Sequence, residues 1–189
     1  MDSFIVLVDS CVLYSASLRD LVIHLALVGL FRPRWTEQIH EEWIRSVLEH
    51  RPELQRERLE RTRFLMDTHV RNALVTGYES LIEGLSLPDP DDRHVLAAAI
   101  CSGSNLILTF NLKDFPADTL SPFGIVAQQP DEFLLHQWSL DPSKVLTALR
   151  RQRENLERPP LKSLEFLENL RQQHLPQFVA ELQRYADVI

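Results

Sequence analysis

Asp9 closes a short aliphatic run, Phe4-Ile5-Val6-Leu7-Val8, and further acidic residues lie far from it along the chain. One group is Asp89, Asp91 and Asp92 within Leu87-Pro88-Asp89-Pro90-Asp91-Asp92; another is the adjacent pair Glu41 and Glu42. Carboxylates brought together from such distances repel one another unless a cation neutralises them. Several carboxylates with few fixed partners suit Mg²⁺ or Mn²⁺, which take oxygen ligands and keep waters for chemistry.

Singly, each of these residues has a plainer reading. Asp9 is as consistent with a turn after a strand as with a ligand. Asp89, Asp91 and Asp92 suit helix N-caps and dipole partners, and Glu42 suits a solvated helix face. Glu41 competes with Glu42, because neighbours on a helix point about 100° apart and only one of them can face a common site. Glu42 follows Ile39 by one turn and precedes Val47, which sets it close to an apolar seam. His40-Glu41-Glu42-Trp43-Ile44 has no second histidine at the next turn, so a zinc-protease motif fails. His94 has two readings, a residue facing the site and, with the greater weight, a solvated or core-edge histidine.

The elements that must position these residues follow from the apolar pattern. Residues 4–8 form a run without a polar face, the pattern of a parallel strand buried on both sides. Residues 18–30 predict a buried helix, and Thr36 predicts the N-cap of the next, with Ile39, Trp43 and Val47 on one face. A charge-rich helix is expected over 53–72 and a short one over 78–85. Its arginines, Arg56 and Arg63 among them, interleave with Glu57 and Glu60, which suits a self-neutralised solvated face better than an RNA-binding ridge. Asp92 then starts an Ala-rich helix closed by Ser102-Gly103-Ser104, and residues 105–109 predict a second buried strand. One more strand is expected at 124–127 and one more helix at 131–138. This order predicts an α/β fold, a doubly wound parallel sheet flanked by helices.

Past Ser139 the pattern is helical only. Asp141-Pro142 opens a helix, Pro159-Pro160 and Pro176 break the chain, and Leu175, Phe178, Val179, Leu182 and Tyr185 form an apolar stripe. The division expected is 1–138 for the α/β domain and 139–189 for an all-helical C-terminal extension. The stripe must dock on the chain's own domain, on a second copy in a homo-oligomer, or on a partner.

Bulk properties narrow the classes. The 189 residues are 44% hydrophobic and 25% charged, which is globular and excludes disorder. The net charge of −7 opposes a nonspecific nucleic-acid coat, though not an enzyme that gathers acids around metal. Cys11 and Cys101 sit in apolar runs without metal-ligand spacing, the usage of a reducing compartment. The start has no basic n-region, and residues 21–31 are too few to cross a bilayer, so a cytoplasmic protein without membrane contact is expected.

Taken together, Val6-Leu7-Val8-Asp9-Ser10-Cys11, Thr36 with Glu42, Asp89-Pro90-Asp91-Asp92-Arg93-His94 and Leu108-Thr109-Phe110-Asn111-Leu112-Lys113-Asp114-Phe115 resemble the PIN domain. The closer resemblance is to PIN-domain toxins of the VapC type, over residues 3–137, and the tail resembles the helical extension of a longer subgroup. The resemblance implies a metal-dependent ribonuclease that hydrolyses RNA phosphodiesters and pairs with an antitoxin protein. It assigns Asp9, Glu42 and Asp92 as catalytic metal ligands, with Thr109 orienting an acid or a water and Asp89 farther out. Asn111 stands where many relatives carry a fourth acid. Asp114 either supplies that carboxylate or only pins the loop. Two rival readings follow from departures in the chain. A dehalogenase-like phosphatase would need an aspartate where Cys11 stands, and a non-cutting PIN scaffold that binds RNA or protein is the reading that Asn111 favours.

Overall fold

β1 (Ile5–Val8) consists of β-branched and aliphatic residues, and Val6, Leu7 and Val8 are fully buried. It lies inside a parallel sheet of order β2-β1-β3-β4, in the computed structural model that describes residues 4–156 and 160–189. β3 (Leu106–Leu108) pairs with β1 through Val6↔Leu106, Leu7↔Ile107 and Val8↔Leu108. β4 (Val126–Gln128) extends the sheet beyond β3, two residues later than the pattern suggests, because Gly124 takes φ +69° to turn the chain and Ile125 is buried before the ladder begins. β2 (Arg32–Arg34) is the element that the apolar pattern does not announce. Its Arg-Pro-Arg sequence suits only an edge, where the missing N–H of Pro33 leaves no neighbour unpaired.

The helices follow from caps and breakers. After α1 (Ser10–Leu13), Ser15 caps α2 (Ala16–Leu27), which starts two residues before the expected span. Gly29 at φ +76° lies just past its end. Thr36 accepts the Ile39 N–H at 3.0 Å and caps α3 (Glu37–His50). α4 (Arg56–His69) is shorter than 53–72: Leu54 N–H bonds back to Arg51 in a turn, and Asn72 at φ +63° reverses the chain. Arg56 pairs with Glu41 and Glu60, and Arg63 with Glu37, so these two arginines of α4 are neutralised within the protein. α5 (Glu79–Ile82) is a single turn. α6 (Arg93–Cys101) packs on β1 and β3, with residues 94–99 buried. α7 (Ala117–Leu120) and α8 (Pro130–Leu140) flank β4 in the chain.

Two strands lie on opposite sides of β1: β2, reached through α1 and α2, and β3, reached through α3 to α6. The chain therefore changes winding direction between β1 and β3, and in such sheets a crevice opens at the carboxyl ends of the strands at that point.

Asp141 accepts the Lys144 N–H at 3.0 Å and caps α9 (Pro142–Glu154), which packs along α2 with Val145, Ala148 and Leu149 fully buried. α10 (Ser163–Arg171) and α11 (Pro176–Leu182) follow, while Pro159 lies outside the described residues. Of the three destinations open to the apolar stripe, Leu175, Phe178, Val179 and Leu182 reach the chain's own helices and are buried there. Each such side chain contributes roughly 1.5–3 kcal/mol. Tyr185 is 41% exposed, because the chain tightens into a 3₁₀ turn after Leu182, yet its ring packs 5.0 Å from that of Trp138. The polar tie at this seam is Asp131, a buried residue of α8 that accepts the N–H groups of Gln177 at 3.1 Å and Phe178 at 2.8 Å. Asp131→Ala leaves the Phe178 N–H buried without a partner and removes the cap on Gln177, and should cost about 1–3 kcal/mol. The check is urea unfolding, where the midpoint should fall with an unchanged slope.

Candidate active site

Asp9 is the first residue past β1 and Thr109 the first past β3, so the pairing of the two strands sets them side by side. The Asp9 N–H donates to Leu108 O at 3.1 Å, and the Thr109 hydroxyl, fully buried, donates to Asp9 Oδ2 at 2.7 Å. Thr109 Oγ1 also accepts the Asn111 N–H at 3.0 Å, which fixes the hydroxyl between the strand end and its loop. Asp9 Oδ1 accepts the Ser10 N–H at 2.6 Å, so the same aspartate caps α1 and faces the crevice. The turn and site readings of Asp9 are therefore compatible. The Cys11 thiol donates to Oδ2 at 3.1 Å; burial and then the Asp9 charge push it far above the usual thiol range, which keeps it protonated and non-nucleophilic.

Asp92 ends a 3₁₀ turn, Pro90–Asp92, and starts α6. Its carboxyl is raised from 3.8 to about 6 by burial, then by the charges of Asp9, Asp89 and Asp114, with His94 pulling the other way. Four acidic residues from three parts of the chain are thus close enough to act on one proton. Asp89 is exposed and accepts the Asp91 N–H at 2.9 Å, which shapes the turn. Asp114 sits in the turn Leu112–Asp114, its N–H on Asn111 O at 3.0 Å, so it is held by the loop and its charge still reaches Asp92. Asn111 itself is exposed.

Glu42 and Glu41 separate cleanly. Glu41 forms a surface ion pair with Arg56. Glu42 lies 2.8 Å from His94 Nε2 and accepts from Gln38 Nε2 at 3.3 Å. Burial pushes the Glu42 carboxyl up, but the hydrogen bond and charge of His94, with bonds from Ser10 and Gln38, outweigh it and hold the carboxyl below its ordinary value. Ser10 touches both Asp9 and Glu42 and so links α1 to α3 at the crevice.

Two residues here are given little or no weight by a reading of the chain. His94 is buried rather than solvated and bonds Glu42, while its Nδ1 has no partner among the described residues. Its place in the first turn of α6, just after Asp92, was the available signal, but nothing in the chain says that α3 lies opposite. Ser10 carried no signal beyond adjacency to Asp9.

Among the described residues, no three His, Cys, Asp or Glu side chains converge on a single point. Asp9 is turned toward Ser10, Thr109 and Cys11, and Glu42 toward His94. Charge nevertheless marks four of these residues out. Asp9, Asp89, Asp92 and Asp114 form no ion pair with a lysine, arginine or histidine among the described residues. Uncompensated carboxylate oxygens are the donor set of a hard divalent cation, and the raised Asp92 carboxyl reflects burial first and then the repulsion that such a cation would relieve. A cavity of about 580 Å³ between α2, α4, α9 and α10 contains none of these groups, so size is a poor guide here.

Residues 5–113, more than half of the chain, match the PIN domain. The chain belongs to the PIN domain family. The PIN match takes in Asp9, Glu42, Asp89, Asp92, Thr109 and Asn111 and stops one residue before Asp114. Residues 130–184 match the VapC50 C-terminal domain, a stretch that begins at α8 and includes Asp131. A Mycobacterium tuberculosis protein named "Putative ribonuclease VapC50" is 37% identical over 121 residues, covering 62% of this chain and 70% of that relative. No solved structure matches the chain.

In the metal-free PIN site a raised Asp92 means that the native state holds more protons than the unfolded chain between pH 3.8 and about 6, so stability falls as pH rises through that window. Asp92→Asn should therefore stabilise the metal-free protein above pH 7, by about 1 kcal/mol after solvent screening, and make no difference near pH 3. Thermal melts in chelator across pH check this; equal melting of the two proteins at pH 7.5 would contradict the crowding.

Proposed function

We propose that this protein is a metal-dependent endoribonuclease, the toxin of a toxin–antitoxin pair, acting with Mg²⁺ or Mn²⁺. The observation that carries the reading is the crowding of Asp9, Asp89, Asp92 and Asp114 at the switch point of the sheet. RNA as substrate and an antitoxin as partner rest on the relative named as a ribonuclease of the VapC type and on membership of the PIN family. On this reading residues 1–138 carry the chemistry, and residues 139–189 are an extension that packs against them. The cytoplasm, where RNA is available and Cys11 and Cys101 remain free thiols, is the expected compartment. Among the described residues no helix is long and apolar enough to cross a membrane.

Asp9, Glu42 and Asp92 would hold the metal, and Asp114 would add charge from the adjoining loop. Bound there, the ion supplies an activated water and neutralises charge on the phosphate. The chain's own groups prepare that site. Thr109 and Ser10 orient the two oxygens of Asp9. His94 and Ser10 keep Glu42 ionised, and His94 fixes its direction at 2.8 Å. Asp92, its carboxyl raised to about 6, would lose its proton on binding a cation, so metal affinity should rise with pH through about 6.

Cleavage of a mixed RNA pool with Mg²⁺, with Mn²⁺ and with chelator tests the reading. Cleavage with either ion and none with chelator is expected; RNA binding without cleavage in either metal would favour a non-cutting scaffold. Asp9→Asn should reduce cleavage to the chelator level, and Thr109→Val should cost on the order of 10–100-fold through misorientation of Asp9. Calorimetric titration with Mn²⁺ should show weaker binding for Glu42→Gln and no change for Glu41→Gln. Equal losses for the two would overturn the choice of Glu42.

A further inference from the structure

Two pockets open beside Asp9, one on each side of Tyr14, and Cys11 forms part of the wall of both. They measure about 370 and 460 Å³, within the range of small-ligand sites of ~300–1,000 Å³. The Cys11 sulfur is 3.1 Å from Asp9 Oδ2 and 3.4 Å from Thr109 Oγ1, so a single side chain separates both pockets from the first carboxylate. Neither is needed to close the core.

Aromatic rings line them. Tyr14 is 38% exposed and meets the ring of His50 edge to face, with centroids 5.8 Å apart. In the second pocket Phe110 meets His174 at 5.9 Å and 73°. Phe110 directly follows Thr109, so the strand end that orients Asp9 also presents this ring. His174 comes from the C-terminal extension, between α10 and α11, and is exposed at φ +62°. That left-handed conformation is uncommon for a residue with a side chain, and such strain collects at binding sites.

We propose that Tyr14, His50, Phe110 and His174 form a stacking platform for unpaired bases flanking the scissile phosphate of single-stranded RNA, with the extension supplying one wall through His174. This rests on the nuclease reading and deepens it. The net charge of −7 and the acidic centre repel a phosphate backbone, so binding must draw on something other than charge. Stacking on aromatic faces supplies it and tolerates any sequence, since every base has a π-face. Bases within a duplex are already stacked and paired, and cannot enter pockets on both sides of one tyrosine.

The test uses a short single-stranded RNA carrying 2-aminopurine, bound in chelator so that no cleavage intervenes, together with the same strand bearing abasic sites. Stacking should quench the 2-aminopurine with wild-type protein. Tyr14→Ala and His174→Ala should each weaken binding roughly tenfold and restore fluorescence, as expected for the loss of one stacked base, while Tyr14→Phe keeps both. The abasic strand should bind all of these proteins equally. Unchanged binding by both alanine variants, or an equal loss with the abasic strand, would overturn the platform and leave the nuclease intact. Wild-type protein that neither binds nor cleaves RNA would overturn the nuclease reading and the platform with it.

Discussion

Mutual repulsion among carboxylates is the constraint around which this molecule is organised. Asp9, Asp89, Asp92 and Asp114 come from the end of one strand, the start of one helix and the loop after another strand, and without a cation their proximity is unfavourable. The rest of the fold must hold them there. The β1–β3 pairing does most of this, because residues buried on both faces cannot slip without placing polar groups in the core. The Thr109–Asp9 bond then fixes the direction of the first carboxylate, so sheet register becomes side-chain orientation within one residue.

α6 and α3 approach the crevice from the other side, and His94 joins them. A histidine buried in the first turn of α6 needs a partner, and Glu42 needs a counterweight to its burial; each meets the other's requirement at 2.8 Å. Ser10 completes the link by touching both Glu42 and Asp9. The result is a set of acids that are individually satisfied or tied to a turn and collectively short of positive charge. Among the described residues that imbalance, rather than a preformed cage, is what distinguishes the crevice.

The C-terminal helices are part of the same solid. α9 lies along α2, and α11 is anchored to α8 through Asp131, so the extension is packed and hydrogen-bonded against the α/β layers. This rigidity matters at the crevice, because the loop between α10 and α11 carries His174 to the ring of Phe110, one residue from Thr109. An extension that merely hung from the domain could not hold a strained exposed side chain in register with the site.

Local residue patterns alone were enough to indicate β1 and β3, the caps at Thr36 and Asp141, the surface neutralisation of α4 and the apolar stripe of the tail. Each depends on interactions within a few residues: continuous apolar runs, side-chain caps, and charges a turn apart. Where neighbours distant in sequence decide, the chain was silent or ambiguous. β2 forms from Arg-Pro-Arg because an edge was vacant beside β1. Tyr185 leaves the stripe because the helix tightens after Leu182. The pairing of Glu41 with Arg56 and of Glu42 with His94, the burial of His94 and the reach of the Asp114 charge to Asp92 all depend on packing. The acids were written into the chain, but their convergence was not, since a carboxylate's environment depends on which strands and helices the folded sheet brings beside it.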